Sequence, residues 1–345
     1  MSSLRESLER LLDRRDLGET EAEGLLGELT RPETPPAAAG AVLVALRAKG
    51  VVASEVRGFA NGMRRLARRP RIPAGVRAID VVGTGGDGSG SLNISTGTAL
   101  LTAACGLPVV KHGNRSISSR AGSADVLEAL GLALPLDEEA APRCLAATHF
   151  TFLFAPYYHP AMKVLGPVRS ALGVRTIFNI LGPLTNPAEP ALYVIGAPRL
   201  EEAKLIADSL AGMPIERAFV VHGAEGWDEP TPMGPFTLFD VRPGHVAAEV
   251  RAPADYGIAA CTSAGLAGGD CGYNAGALRA VFAGEDRGPH RDCLVLGAAL
   301  ALEVAGSASS RRAAVEQAAH AIDDGAARRV LESVAAFNPA RSEAG

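Results

Sequence analysis

The chain has few cysteines, no long apolar run and no surplus of one charge, and each lack removes a class of protein. Cys105, Cys144, Cys261, Cys271 and Cys293 are odd in number, widely spaced and without any C-x-x-C pair. That pattern argues for reduced thiols in a cytosol over disulfides or a zinc site. The longest apolar run, Cys293 to Val304, contains Glu303 and is too short to span a bilayer, and the start lacks a basic segment leading into an apolar one. A cytoplasmic location without membrane contact is therefore expected. With 34 basic and 38 acidic side chains the net charge is −4, which offers no electrostatic reason to expect nucleic acid. There is no internal repeat, and no segment biased enough to be disordered beyond the last few residues. What remains is a globular chain of 345 residues, 47% hydrophobic, with material for one large core or two smaller ones.

The N-terminal segment reads as helices alone. Ser3 with Glu6, and Thr20 with Glu23, have capping-box spacing, followed by leucines at helical intervals. Thr34-Pro35-Pro36 opens a third helix, apolar almost all round from Ala37 to Leu46 and stopped by Gly50. Ser54 begins a fourth, with Val56, Phe59, Met63 and Leu66 inward. Arg64, Arg65, Arg68 and Arg69 read as a solvated face at a helix C-terminus. Proline and glycine in Arg71–Gly75 mark a change of pattern, so a boundary is expected there, with a small helical domain over 1–72 and a large α/β domain over 73–345.

From Ala78 strands and helices alternate, which predicts a mostly parallel central sheet. The strand candidates are Ala78–Val82, Leu107–Val110, Thr151–Phe154, Leu192–Ile195 and Ala218–His222. Phe236–Val241 and His245–Val250 read as a hairpin turning at Pro243-Gly244. Asn274–Ala283, Cys293–Ala305 and Ala313–Ala336 return to alanine-rich helices.

The stretch from Asp80 to Leu130 reads as an anion cradle. Gly83, Gly85, Gly86 and Gly88 crowd one turn after a strand, beside Asp87, and let backbone N–H groups turn inward on a ligand. Ser91, Asn93, Ser95 and Thr96 lead into a helical run whose N-terminus faces the same place. The next apolar run delivers Lys111, His112, Gly113, Asn114 and Arg115 to a loop, and Ser119 to Ser123 begins another helix. Glycines, hydroxyls, an amide and three cations thus recur at two successive strand ends, where open α/β sheets bind ligands. Phosphate binding is the expectation.

Three further stretches carry polar chemistry. In Phe154-Ala-Pro156-Tyr-Tyr-His159-Pro160, His159 could contact a ligand or cap a helix. Arg169 follows Gly166-Pro167, a break in a helical pattern, and its fork suits a planar carboxylate, although a surface arginine would look the same. Thr176–Pro187, dense in Gly, Pro and Asn, reads as an ordered connector beside a site or as a hinge. After the strand ending at His222, Asp228 and Glu229 suggest Mg²⁺ held by one or two carboxylates plus substrate phosphates, or else an ordinary acidic loop.

These motifs together resemble the anthranilate phosphoribosyltransferases. The match is carried by GTGGDG (Gly83–Gly88), NIST (Asn93–Thr96), KHGNRSISS (Lys111–Ser119), GSADVLEALG (Gly122–Gly131), FAPYYHPAM (Phe154–Met162), RTIFNILGPLTNP (Arg175–Pro187) and GWDE (Gly226–Glu229), and more weakly by both ends of the chain. The resemblance implies a nucleoside phosphorylase/phosphoribosyltransferase type of fold, a small helical domain plus a large α/β domain. A segment near 166–190 would return to the small domain, and a homodimer would pair through it. It implies transfer of phosphoribosyl from phosphoribosyl pyrophosphate to the amine of anthranilate, a step of tryptophan biosynthesis. Gly83, Gly86, Asp87, Asn93, Ser95, Thr96, Lys111 and Ser119 would hold phosphoribosyl pyrophosphate. Ser95, Asp228 and Glu229 would serve Mg²⁺, and Asn114 and Arg169 would meet anthranilate, with His112 and His159 lining its path. Lys111, Asn114 and Arg169 act by positioning, and no dedicated general base is evident.

The sequence departs from the family's usual pattern at Ser91-Leu92, at Trp227 and Pro230 beside the acidic pair, and at Gly297. A related aromatic amine is the alternative acceptor. A pyrimidine nucleoside phosphorylase would share the fold, but its loop resembles T-G-G-V-G-D-K. A non-enzymatic paralogue that binds nucleic acid is disfavoured by Asn114, Arg169, Asp228-Glu229 and the net charge of −4.

Overall fold

The computed structural model describes residues 4–116 and 120–340. Four helices come first: α1 (Leu4–Leu12), α2 (Glu19–Leu29), α3 (Pro36–Lys49) and α4 (Ala53–Leu66). Then follow β1 (Ile79–Gly83), α5 (Ile94–Ala104), β2 (Val109–Gly113), α6 (Ser123–Leu130), α7 (Ala140–Thr148), β3 (Phe150–Phe154), α8 (Ala155–Tyr158), α9 (Met162–Leu172) and α10 (Phe178–Leu181). The rest comprises β4 (Leu192–Gly196), α11 (Leu200–Leu210), β5 (Arg217–His222), β6 (Phe236–Arg242), β7 (His245–Arg251), α12 (Cys271–Phe282), α13 (Pro289–Val304), α14 (Arg311–Asp323) and α15 (Ala326–Ala336).

The strands form one sheet in the order β3-β2-β1-β4-β5-β6-β7, parallel from β3 to β5 and antiparallel beyond. The chain leaves β1 toward β2 and β3, then crosses back to lay β4 on the other flank of β1. The order therefore reverses at β1, and a crevice opens beyond the C-terminal ends of β1 and β4.

One face of the sheet packs on α5 and α13, in a core that includes Leu100, Leu294, Leu296 and Leu300. The apolar run at Cys293–Val304 is explained by this position, a helix buried on nearly every side within the protein. No helix of the described residues is long and apolar enough to cross a membrane. The other face shares a second core with α2, α3 and α4 and with Leu165, Val168, Phe178 and Leu181 of α9 and α10. Helices α2 and α4 approach closely because α4 presents Gly62 toward α2, where a Cβ would stand 2.8 Å from Leu26 Cδ2.

Several local expectations are corrected. Helix α2 starts at Glu19, and Glu21, not Glu23, reaches back to the Gly18 N–H at 2.9 Å. Ser54 does not cap α4; its hydroxyl donates to the Leu17 carbonyl, while Glu55 accepts from Val52 N–H at 3.1 Å. Ser3 lies outside the described residues. Arg64 is not solvated: it is buried and donates to the Leu184 carbonyl and the Tyr193 hydroxyl. Helix α9 runs unbroken through Pro167, and the stretch Ala313–Ala336 is divided at Gly325, whose φ of 77° interrupts the helix. Strand β2 extends to Gly113, so Lys111 and His112 are strand residues rather than loop residues. Alternation hid this, because Lys111 buries its stem within the sheet and satisfies its ammonium locally.

Candidate active site

Three strand ends carry a glycine where the Asp228-Glu229 segment passes. A Cβ on Gly83, at the end of β1, would overlap the Asp228 carboxylate. One on Gly196, at the end of β4, would overlap the Asp228 carbonyl, and one on Gly223, just after β5, the Glu229 carbonyl. The acidic pair is thereby laid across the mouth of the crevice, nearly out of water, between the buried Trp227 and Pro230. Asp228 Oδ2 accepts the Gly85 N–H at 2.5 Å, and Glu229 Oε1 accepts the Ser95 N–H at the start of α5 at 3.0 Å. Burial raises the Asp228 carboxyl well above its usual range, with the charges of Glu229 and Asp87 adding to the effect. Burial also raises Glu229 to about 7, against the pull of Lys111. The pair therefore does not lie on a solvated surface loop.

Lys111 faces them from β2. It is 1% exposed, and its Nζ donates to the Val81 carbonyl at 2.6 Å and lies 3.4 Å from Ser95 Oγ. Burial lowers its pKa, while Asp80, Glu229 and Asp228 raise it. Asp80 is fully buried on β1, where it accepts from Asn186 Nδ2 at 2.8 Å and from the His112 N–H at 3.3 Å. Burial brings the Asp80 carboxyl up to about 6 despite Lys111.

The glycine loop is a turn of left-handed residues, Gly85, Gly86, Gly88 and Gly90, with φ between 63° and 78°. Asp87 accepts from the Ser89 N–H and hydroxyl inside the turn. Ser91 pairs with Ala267 as an isolated bridge, and Gly268 N–H donates to the Gly90 carbonyl. Asn93 donates to the Ala121 carbonyl and accepts from Asn274 of α12 at 2.7 Å. Thr96 is fully buried. The bracing by Leu266–Gly268 and Asn274 was missed from sequence, since nothing local links those residues to a loop so distant in the chain.

Of the three cations expected to converge, only Lys111 turns its head group toward the acidic pair and the start of α5. Arg115 is exposed and turned outward to Asp125 at 3.1 Å and to Glu128 at 2.7 Å. His112 is buried, its Nδ1 lies 3.2 Å from the Gly182 carbonyl, and burial drops its pKa to about 3, so it is a neutral imidazole. Its ring meets that of His159 edge to face at 5.0 Å. His159 is also buried and neutral, lowered by burial to about 4. His112 Nε2 and both His159 ring nitrogens lack a well-formed hydrogen bond. Asn114 is exposed just past β2, where its carbonyl accepts from Ser123 Oγ at 3.1 Å, and Gly113 leaves room for that hydroxyl. Ser119 lies outside the described residues.

Arg169, on α9, is half-buried over the Phe178 ring at 5.2 Å, and burial lowers its pKa. Among the described residues it has no carboxylate partner. Gly297 lies against Thr98, where a Cβ would stand 2.6 Å from the hydroxyl, and lines a cavity of about 10 Å³ behind Glu229.

Residues 5–67 match the glycosyl transferase family, helical bundle domain, and residues 75–328 match the glycosyl transferase family, a/b domain. The anthranilate phosphoribosyltransferase of Rubrobacter xylanophilus is 44% identical over 329 residues, which are 95% of this chain and 96% of that protein. This chain belongs to the anthranilate phosphoribosyltransferase family. The family member from Chloroflexus aggregans is 43% identical over 337 residues, 97% of this chain and 98% of its own. Among solved structures of the family, that from Thermus thermophilus aligns with a TM-score of 0.89 at 39% identity, covering 96% of this chain and 98% of that one. The anthranilate phosphoribosyltransferase of Saccharomyces cerevisiae, in complex with PRPP and Mg, aligns at 0.86 with 26% identity and 96% of each chain.

Proposed function

We infer that the protein transfers the phosphoribosyl group of phosphoribosyl pyrophosphate to the amine of anthranilate, releasing pyrophosphate. The observation that carries this is the buried Asp228-Glu229 pair held across the glycine loop and facing Lys111. Two carboxylates withdrawn from water with raised pKa values are an unfavourable arrangement alone, and a divalent cation with its phosphate ligand relieves it. Among the described residues no group of three or more His, Cys, Asp or Glu is arranged to hold a metal alone, which suits an ion completed by substrate oxygens and water. Asp228, Glu229 and the Ser95 hydroxyl are the residues that would hold Mg²⁺. Bound there, it would neutralise charge developing on the departing pyrophosphate.

The chain's own groups do the rest by position. Loop N–H groups and the start of α5 hold the phosphates, and Lys111 adds an ammonium donor beneath them when protonated. As the C1–O bond of ribose breaks, its electron pair leaves with pyrophosphate, and the anthranilate nitrogen forms the new bond to C1 and loses a proton to substrate or solvent. Asn114 and Arg169 orient anthranilate, the guanidinium taking its carboxylate, and the neutral imidazoles of His112 and His159 line its approach. The half-buried Arg169, without a carboxylate partner among the described residues, supports this assignment.

The remaining cradle contacts are assigned on the same reading, with Gly113 and Ser123 beside the phosphates. Residues 1–72, with the segment near 166–190, form one structural unit in this reading and 73–345 the other, supported by the shared packing of α2–α4 with α9 and α10. A cytoplasmic homodimer pairing through the helical unit, without nucleic acid or membrane, completes the proposal.

The test is loss of anthranilate fluorescence with phosphoribosyl pyrophosphate and Mg²⁺ present, each omitted in turn. Turnover that needs all three is expected. Turnover with another aromatic amine but not anthranilate would overturn the acceptor and leave the cradle standing.

A further inference from the structure

We propose that Arg175 is an additional positioning residue for the diphosphate of phosphoribosyl pyrophosphate, reaching the glycine loop from the opposite wall of the crevice. The inference rests on the cradle reading above. Arg175 lies between α9 and α10, and its backbone carbonyl is held by Arg47 Nη1 at 3.0 Å. Its guanidinium stands over the tip of the loop, where a Cβ on Gly86 would be 2.6 Å from Nη1. Only Nη2 is engaged, donating to the two Glu202 oxygens at 3.3 and 3.1 Å. Nε is buried without a hydrogen-bond partner, and Nη1 has none among the described residues.

A buried guanidinium donor left unpaired beside a left-handed glycine turn requires an acceptor. The surroundings identify it as an anion. Asp87, Asp228 and Glu229 already crowd the loop with negative charge, Lys111 is committed to Val81 and Ser95, and Arg115 is turned away toward Asp125 and Glu128. A ligand carrying a diphosphate needs another cation there, and the planar fork of an arginine matches phosphate oxygens two at a time. Glu202 does not depend on Arg175 for neutralisation, because Arg199 also pairs with it. Arg175 is therefore free to divide its donors between Glu202 and a phosphate without leaving a carboxylate unpaired.

The test compares wild type with Arg175→Gln, Arg175→Lys and Glu202→Gln in the full chain with Mg²⁺, measuring KM for each substrate and inhibition by pyrophosphate. Arg175→Gln should raise KM for phosphoribosyl pyrophosphate and the pyrophosphate inhibition constant about tenfold or more, as loss of a charged hydrogen bond does. KM for anthranilate should not move, Arg175→Lys should recover part of the loss, and Glu202→Gln should bind pyrophosphate as well as wild type or better. Unchanged pyrophosphate binding by Arg175→Gln, or an equal rise in both KM values, would overturn the assignment and make the residue structural. Failure of wild type itself to bind phosphoribosyl pyrophosphate would instead overturn the cradle reading.

Discussion

Gly196 and Asp228 occupy adjoining space so tightly that the aspartate's carbonyl lies where a side chain on the glycine would begin. The end of β4 thus determines where the acidic pair sits. Gly196→Ala must push Asp228 off the crevice, and it is expected to destabilise the protein by about 1–3 kcal/mol, as overpacking does. The Mg²⁺ concentration for half-maximal rate should rise as well. A metal titration of the purified variant checks this, and an unchanged midpoint would mean that the segment is not held from beneath.

Removing the pair itself is more severe. Asp228→Ala with Glu229→Ala should leave the fold intact, since both groups are destabilised by burial. Turnover should vanish or demand far more Mg²⁺. Metal dependence equal to wild type would place the ion elsewhere.

Arg169→Ala removes a charge that has no carboxylate partner among the described residues and gives up its stacking on Phe178, so only a modest loss of stability is expected. KM for anthranilate should rise about tenfold or more, the effect of losing a charged hydrogen bond, while phosphoribosyl pyrophosphate binding stays close to wild type. Equal loss of both affinities would remove Arg169 from the acceptor site.

Asn186 is fully buried and donates to Asp80 at 2.8 Å and to the Val110 carbonyl at 2.7 Å. Asn186→Ala leaves both acceptors short of a donor, and a loss of about 2–4 kcal/mol is expected in a urea titration. An unaltered midpoint would show that Lys111 and the His112 N–H suffice to hold Asp80.

His112 and His159 each make a contribution to stability that is lost in acid. Burial holds them at about 3 and about 4, while in the unfolded chain they titrate near 6.5. Between those values the unfolded state binds protons that the folded state refuses, so stability rises with pH through this window and is lost as pH falls. Asp80, raised to about 6, Glu229, raised to about 7, and Asp228, raised well above the usual range, hold protons when folded and work in the opposite sense, so the histidine contribution is read as a difference between variants. His159→Gln should lower the slope of stability against pH, relative to wild type, by up to about 1.4 kcal/mol per pH unit, measured from urea midpoints between pH 6.5 and 4.5. A slope identical to wild type would mean that His159 is not buried neutral.

Local chemistry was enough to read much of this protein. The alternation of apolar runs and helix-length segments follows from burial on both faces of a parallel sheet, and glycines after β1 followed by Asn93 and Ser95 announce an anion site because few other residues permit that backbone approach. The ordering Lys111, His112, Asn114, Arg115 could be read as a polar cluster. Which of those residues act as cations could not, since Arg115 turns outward and His112 loses its charge only once neighbours bury it.

The tertiary structure alone decided the rest. That β4 returns beside β1, that Gly196 and Gly223 make room for Asp228-Glu229, that Asn274 steadies Asn93 and that Arg175 stands over Gly86 are contacts between residues far apart in the chain. A sequence displays which groups exist and how the backbone between near neighbours will bend. Desolvation, and therefore the charge state and use of a buried group, depends on what the whole chain folds against it.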